Sequence, residues 1–389
     1  FEINDKFYFA VSKQDSSIKN NYLLDNKITI FGYDIETNEI IVCSLAAGSG
    51  YTIGSPGSAQ VSILDDDTPL PPGCLYAADF DVDVSPLWNI NKSGNPNGNL
   101  ADFSFDYSTV GIPSAPHSGG TTRGLKLQAN LTGDTFGGLS VSPINQFLSG
   151  DYVMTFDMWI NFQGPLDVGG SGSTQVTGAG IGSAGLTAQW AGGIQDSVHF
   201  GVTGDAGSSV DFRAYSTAAA TGYTAPSGVF AAGVSAAPDS RNSDDPYYAV
   251  FGGESAPAAQ LSLYPNQTLA TAAGAMGMKW RSVVITVTNN VANYSIDGLS
   301  IATVDLTTVS FGGGSILLNY YDINTGSSTD TNRFALHFGL IDNVKVSIPA
   351  LPAIQITSIQ VNGTDVVIEF TAGDADTDSS FKLQSSSDV

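Results

Sequence analysis

The chain has 389 residues, enough for two or three domains with real cores, and only 13% of them are charged. Its 37 acidic residues against 14 basic ones leave a formal charge of -23, a field that repels nucleic-acid phosphates and anionic lipid headgroups and leaves divalent cations as the more natural partners. No apolar run is long enough for a membrane span, and abundant Gly, Ser, Thr and Asn without long amphipathic patterns favour strands and turns.

In chain order, strand-like runs appear first at Phe7 to Val11, Ile28 to Tyr33, Ile40 to Leu45 and Ala59 to Leu64. Cys43 shares the apolar side of its run with Ile41 and Leu45, so a buried free thiol is expected there, with a bridge to Cys74 as the alternative. The segment from Asp34 to Asp67 resembles the C-terminal half of a Calx-beta domain: Glu36 and Glu39 precede a strand, a Gly-rich loop runs from Gly48 to Gly57, and the last strand ends in Asp65, Asp66 and Asp67. The resemblance implies an Ig-like sandwich and Ca²⁺ held by Glu36, Glu39, Asp65, Asp66 and Asp67, a donor count that suits an ion taking six to eight oxygens. The alternative is that these acids only solvate a domain junction. Thr68 to Gly73, with three prolines in six residues, is expected to be a short stiff linker.

From Cys74 to Ile348 the predicted strands are short and separated by Gly, Asn and Asp clusters: Leu75 to Phe80, Leu125 to Ala129, Tyr152 to Phe162, Ser197 to Val202, Val210 to Tyr215, Ile316 to Tyr321 and Phe334 to Val346. Between Trp280 and Val304, alternating Val283, Ile285 and Val287, then Ala292, Tyr294 and Ile296, are broken by Asn289-Asn290 and Asp297-Gly298, which predicts a three-stranded meander. Four landmarks in order resemble the laminin-G or concanavalin-like jelly roll. They are Arg123 to Asn130, the Trp-bearing Tyr152 to Phe162, the Trp280 strand with its Asp-Gly turn, and a closing strand Phe338 to Val346. Residues 164–195 and 217–268 do not match the pattern and are expected to be insertions or long loops.

Loops on a rigid sandwich are where binding groups are expected. In NSDDPYYAVFGG, Asp244 and Asp245 with Tyr247 and Tyr248 would pair a cation with aromatic platforms for a sugar ring; the alternative is that the two tyrosines pin a long loop onto the sheet. Asp79, Asp81 and Asp83 are expected to alternate on a strand near Asn89 to Asp102, a stretch that reads either as a Ca²⁺ loop or as plain turns. Catalysis is not expected. Glu254 is the only glutamate between Glu39 and Glu369, no second acid falls in register on a recognisable strand, and His117, His199 and His337 are widely spaced. His199 and His337 lie inside strand-like runs, where a satisfied structural histidine is the common outcome.

After a second proline-spaced linker, Ile356 to Phe370 reads as a hairpin turning at Asn362-Gly363, the start of a small fibronectin-like module over residues 349–389. Beginning at Phe1 and ending after FKLQSSSDV, the chain reads as a segment of a longer modular protein. The expectation is an all-β chain comprising an Ig-like Calx-beta module at 1–67, a linker at 68–73, a large concanavalin-like jelly-roll sandwich at 74–348, and the start of a third small β module. Its expected role is non-catalytic binding or adhesion at an extracellular surface, with glycan or protein as partner and Ca²⁺ stiffening the junctions. The alternative is a subunit that self-assembles into an extracellular fibre or layer by β contacts.

Overall fold

A computed structural model describes residues 70–71, 73–93, 96–132, 137–165, 175–190, 196–206, 208, 210–216, 243–322 and 331–349, together with the backbones of strands at 10–11, 39–44, 58–63, 229–231, 355–362 and 365–371. The chain divides into two compact units, Phe1–Pro69 and Leu70–Val389. In the first, β1 (Ala10–Val11), β2 (Glu39–Ser44) and β3 (Ser58–Ile63) form an antiparallel sheet with β2 in the middle, and Cys43 lies opposite Ala59.

The second unit opens with β4 (Cys74–Ala78), β5 (Trp88–Ser93), β6 (Leu100–Asp106), β7 (Arg123–Gln128), β8 (Gly137–Pro143) and β9 (Tyr152–Asn161). It continues through β10 (Gln175–Ser183), β11 (Val198–Thr203), β12 (Phe212–Tyr215), β13 (Val229–Ala231) and a short helix α1 (Ala258–Leu263). Then come β14 (Arg281–Thr288), β15 (Val291–Ile296), β16 (Leu299–Asp305), β17 (Ser315–Asp322), α2 (Arg333–Leu336) and β18 (Phe338–Ser347). A separate hairpin, β19 (Gln355–Asn362) and β20 (Asp365–Thr371), follows with Ile359 opposite Ile368.

These strands build two antiparallel sheets. One has six strands in the order β12-β11-β10-β17-β8-β5; the other has nine, in the order β13-β16-β15-β14-β9-β18-β7-β6, with β4 paired to the far half of β18. The result is an all-β, two-sheet sandwich of the jelly-roll kind. The meander forms as its pattern dictates: Val283, Ile285 and Val287 are buried on β14, and the turns at Asn289-Asn290 and Asp297-Gly298 take positive φ at all four residues, the twist that two-residue hairpins need. The core lies between the sheets, where Phe200 of β11 stacks on Tyr294 of β15 with ring centroids 4.7 Å apart. The closing strand β18 lies beside β4, with Val346 opposite Tyr76.

Three expectations are corrected. Asn89 to Asp102 is not one continuous loop, since it carries most of β5 and the start of β6. The stretch 164–195 is not simply an insertion: it contains β10, an inner strand of the six-stranded sheet. That strand reads QVTGAGIGS, and its glycines hide the usual apolar alternation. They are required, because a Cβ at Gly178 would overlap the carbonyl oxygen of Phe200 on the neighbouring strand. Finally, the run from Phe334 begins in helix α2 and becomes strand only at Phe338. Gln128 and Asn161 hold that helix by donating to the carbonyls of Phe334, Leu336 and His337.

Candidate functional site

The predicted loop quartet does not form one binding face. Asp244 is exposed, while Asp245 accepts from the Tyr247 backbone N–H (2.9 Å) and closes a short turn over Pro246–Tyr248. Tyr247 is half-buried and donates its hydroxyl to the Ser300 carbonyl at 2.7 Å. Tyr248 is fully buried, its ring stacked on Phe212 at 3.8 Å with Phe251 beyond, so it is no platform for a sugar. The reason is packing: the loop needs an anchor on the end of β12, and a buried aromatic ring gives the most apolar contact for the area.

Of the predicted calcium ligands, Glu36, Asp65, Asp66 and Asp67 lie outside the described residues, and Glu39 is placed only by its backbone, opposite Ile63. Among the described residues no group of three or more His, Cys, Asp or Glu is arranged to hold a metal. The alternating acids are turn-formers, not one face of a strand. β4 ends at Ala78; Asp79 accepts from Asp81 N–H and Asp83 from Ser85 N–H. Cys74 carries a free thiol, which corrects the bridged alternative for it.

The absence of a second acid in register is also corrected. Asp157 on β9 lies opposite Asp342 on β18, and both are buried. Asp157 receives the His117 backbone N–H (3.0 Å), the His117 ring Nδ1 (2.8 Å) and the Asn343 amide (3.1 Å), while Asp342 receives the Tyr107 hydroxyl (3.1 Å). The pair fastens the β6–β7 connection to the sheet. Burial pushes the Asp342 carboxyl up to about 7, assisted by the nearby Asp157 and Asp81 charges.

The outer face of the six-stranded sheet is different in kind. Strand alternation sends Val198, Phe200, Phe212 and Ala214 into the inter-sheet core and turns His199, Arg213 and Tyr215 outward. His199 lies opposite Tyr215, and the two rings stack at 4.9 Å. Tyr321 of β17 stands edge-on to Tyr215 at 6.3 Å and packs in a small cluster with Val176 and Trp190. Its ring reaches across β10 until the hydroxyl hangs over Gly201 of β11, where an added Cβ would come within 2.9 Å of it. Arg213, opposite Gly201, donates to the Tyr215 hydroxyl at 3.3 Å.

Polar side chains buried in this way normally find partners. Here His199 Nε2 and Asn319 Oδ1 have none among the described residues, and the Tyr321 hydroxyl faces that of Tyr215, although His199, Tyr321 and Asn319 are all 0% exposed. Burial holds the His199 imidazole neutral, pushing it down to about 3, and pushes the Tyr321 hydroxyl well above its ordinary value. The face thus offers one lone pair on nitrogen, one on oxygen, and one hydroxyl, set among aromatic rings and beside a guanidinium.

No protein-family model matches the chain, and no curated protein matches it. Solved structures do. A protein of unknown function with galectin-like fold from Bacillus subtilis is 10% identical, with 71% of this chain and 96% of that one covered and a TM-score of 0.36. The exoplasmic/lumenal domain of VIP36 in a Ca²⁺- and mannose-bound form is 8% identical, covers 73% and 90%, and has a TM-score of 0.34. An endo-β-1,4-glucuronan lyase from Trichoderma reesei is 9% identical, covers 71% and 95%, and has a TM-score of 0.35. The expectation that the chain is not an enzyme is corrected here, because lyases and a Bacillus licheniformis β-glucanase stand among the matched structures and the fold is found in glycan-active enzymes. Neither the Calx-beta nor the laminin-G resemblance finds a matching family model.

His199 was visible in the sequence only as a strand histidine, and Tyr321 and Arg213 not as site residues at all. The available signal was parity: in VHFGV and FRAY the polar residues occupy the positions that the core does not claim.

Proposed function

We propose that the second unit binds glycan on the outer face of its six-stranded sheet, within an extracellular, modular surface protein whose partners are glycans or glycan-bearing proteins. What supports this reading is one observation: buried polar atoms on His199 and Asn319 without partners among the described residues, collected with the Tyr321 hydroxyl on one sheet face among aromatic rings. Sugars present hydroxyls at the edge and C–H groups on the face, so they match acceptors and donors set beside rings. The full chain applied to an array of neutral and acidic glycans is expected to give specific signals. Asn319→Ala should weaken them at least about tenfold, the effect of losing one hydrogen bond to a buried ligand together with its desolvated partner. Uniform silence across the array would dispose of the reading.

The domain division at 1–67, 74–348 and 349–389, the laminin-G-like identity of the sandwich and the Calx-beta-like identity of the first module belong to the same proposal. So does Ca²⁺ at Glu36, Glu39 and Asp65 to Asp67, where five carboxylates would otherwise repel one another. With Ca²⁺ in millimolar excess over its dissociation constant, the first unit should melt several degrees higher than in chelator. A melting curve indifferent to chelator removes the metal from the proposal.

A further inference from the structure

We infer that the face carrying His199, Arg213 and Tyr321 takes a 1,4-linked polyuronate and cleaves it by β-elimination. The inference rests on the glycan reading above and adds to it a substrate class and a reaction.

The first step is the tautomer of His199. The Ser197 hydroxyl has a single hydrogen, which it donates to Gln189 Oε1 at 2.8 Å. At its 3.4 Å contact with His199 Nδ1 the same oxygen can therefore only accept, so the ring proton belongs on Nδ1. Nε2 is left with a lone pair and no donor among the described residues. The ring is held flat against Tyr215, which makes Tyr215 a positioning residue, and Tyr215 in turn receives a hydrogen bond from Arg213. The catalytic groups are thus a neutral base, His199, and a protonated acid, the Tyr321 hydroxyl, with a cation at the side.

These groups do not suit hydrolysis by the usual route, which takes two carboxylates across the scissile bond. They suit a substrate that already carries its own acidic C–H bond. In a uronate, C5 lies next to the C6 carboxylate, and Arg213 beside that carboxylate would offset the charge that otherwise builds up there when the C5 proton leaves. His199 Nε2 takes that proton, and the C5–H electron pair becomes the C4=C5 double bond. The C4–O glycosidic bond breaks with its electrons on the leaving oxygen, which takes the proton of the Tyr321 hydroxyl. Imidazolium and tyrosinate then exchange the proton and restore the starting state. No water, metal or oxidant is consumed. Asn319 Oδ1, two residues along β17 from Tyr321, accepts from a hydroxyl of a neighbouring sugar.

Poly-D-glucuronate, poly-D-mannuronate and poly-D-galacturonate, each incubated with the full chain, test this through the ultraviolet absorbance of the new double bond conjugated to its carboxylate. A neutral β-glucan is the control. At least one polyuronate is expected to give the absorbance, and His199→Gln and Tyr321→Phe should each slow it about 100-fold or more while melting close to the parent. Binding of polyuronates without any absorbance would overturn the elimination and leave the glycan reading standing; neither binding nor absorbance would overturn both. Absorbance that survives both substitutions would remove these residues from the chemistry. The Tyr321→Phe variant keeps the ring that the cluster packs on, so its result stands even where His199→Gln fails to fold.

Discussion

Replacing Tyr248 by alanine is expected to cost about 4 kcal/mol of unfolding free energy, whereas the same change at Tyr247 should cost about 1 kcal/mol. The two neighbours differ because only Tyr248 sits wholly inside, stacked on Phe212 and in the same cluster as Phe251 and the inter-sheet core. Truncation there leaves a ring-sized cavity under the Ser243-to-Gly253 loop. Tyr247 loses one hydrogen bond to Ser300 and a partly exposed ring. Chemical denaturation of the two variants measures the difference directly. If Tyr248→Ala unfolded no more easily than the parent but lost glycan signals, the ring would be a ligand platform after all.

The second large effect is on pH dependence. Asp342 is buried, and its carboxyl is pushed up to about 7, first by burial and then by the Asp157 and Asp81 charges, against the lowering effect of hydrogen bonds from Tyr107 and the Asn343 backbone. In the unfolded chain the same group has an ordinary value near 4. Between these values the folded state binds a proton that the unfolded state does not. Stability from this group is therefore full below about pH 4 and is lost as pH rises through about 7, by on the order of 3 kcal/mol. His117 also faces the pair, through Asp157, with its side chain 67% exposed. Asp342→Asn mimics the protonated carboxyl, so in chelator the variant should lose much less stability between pH 5 and pH 8 than the parent. Superimposable pH profiles for the two proteins would show that Asp342 does not titrate in that range.

The fold class was legible because the meander and closing strand carry period-two alternation with turn residues that tolerate positive φ, signals that are local and redundant. What escaped was β10, where Gly178 and Gly180 answer to the closeness of β11 and not to a buried side-chain pattern. The groups proposed to bind were less legible still. His199, Arg213 and Tyr321 lie more than a hundred residues apart at the extremes, and only the sheet order β12-β11-β10-β17 brings them together. Asp157 and Asp342 were hidden in the same way, since register across two strands is set by pairing and not by spacing. Conversely, Tyr247 and Tyr248 attracted notice as adjacent aromatics beside acids. Adjacent residues on a tight turn point in different directions, and one of these two points into the core.

The neighbouring placement of β4 and β18, with Ile348 N–H donating to the Gly73 carbonyl at 2.9 Å, has a mechanical consequence. The polypeptide enters the sandwich and leaves it at one spot, so a pull applied through its two ends falls on the Cys74–Ser347 end of a short antiparallel ladder. Such a ladder opens like a zip, one rung after another, instead of sharing the strain along its length. Under tension β4 would peel away first, while the six-stranded sheet and the groups on its outer face would feel almost none of the load.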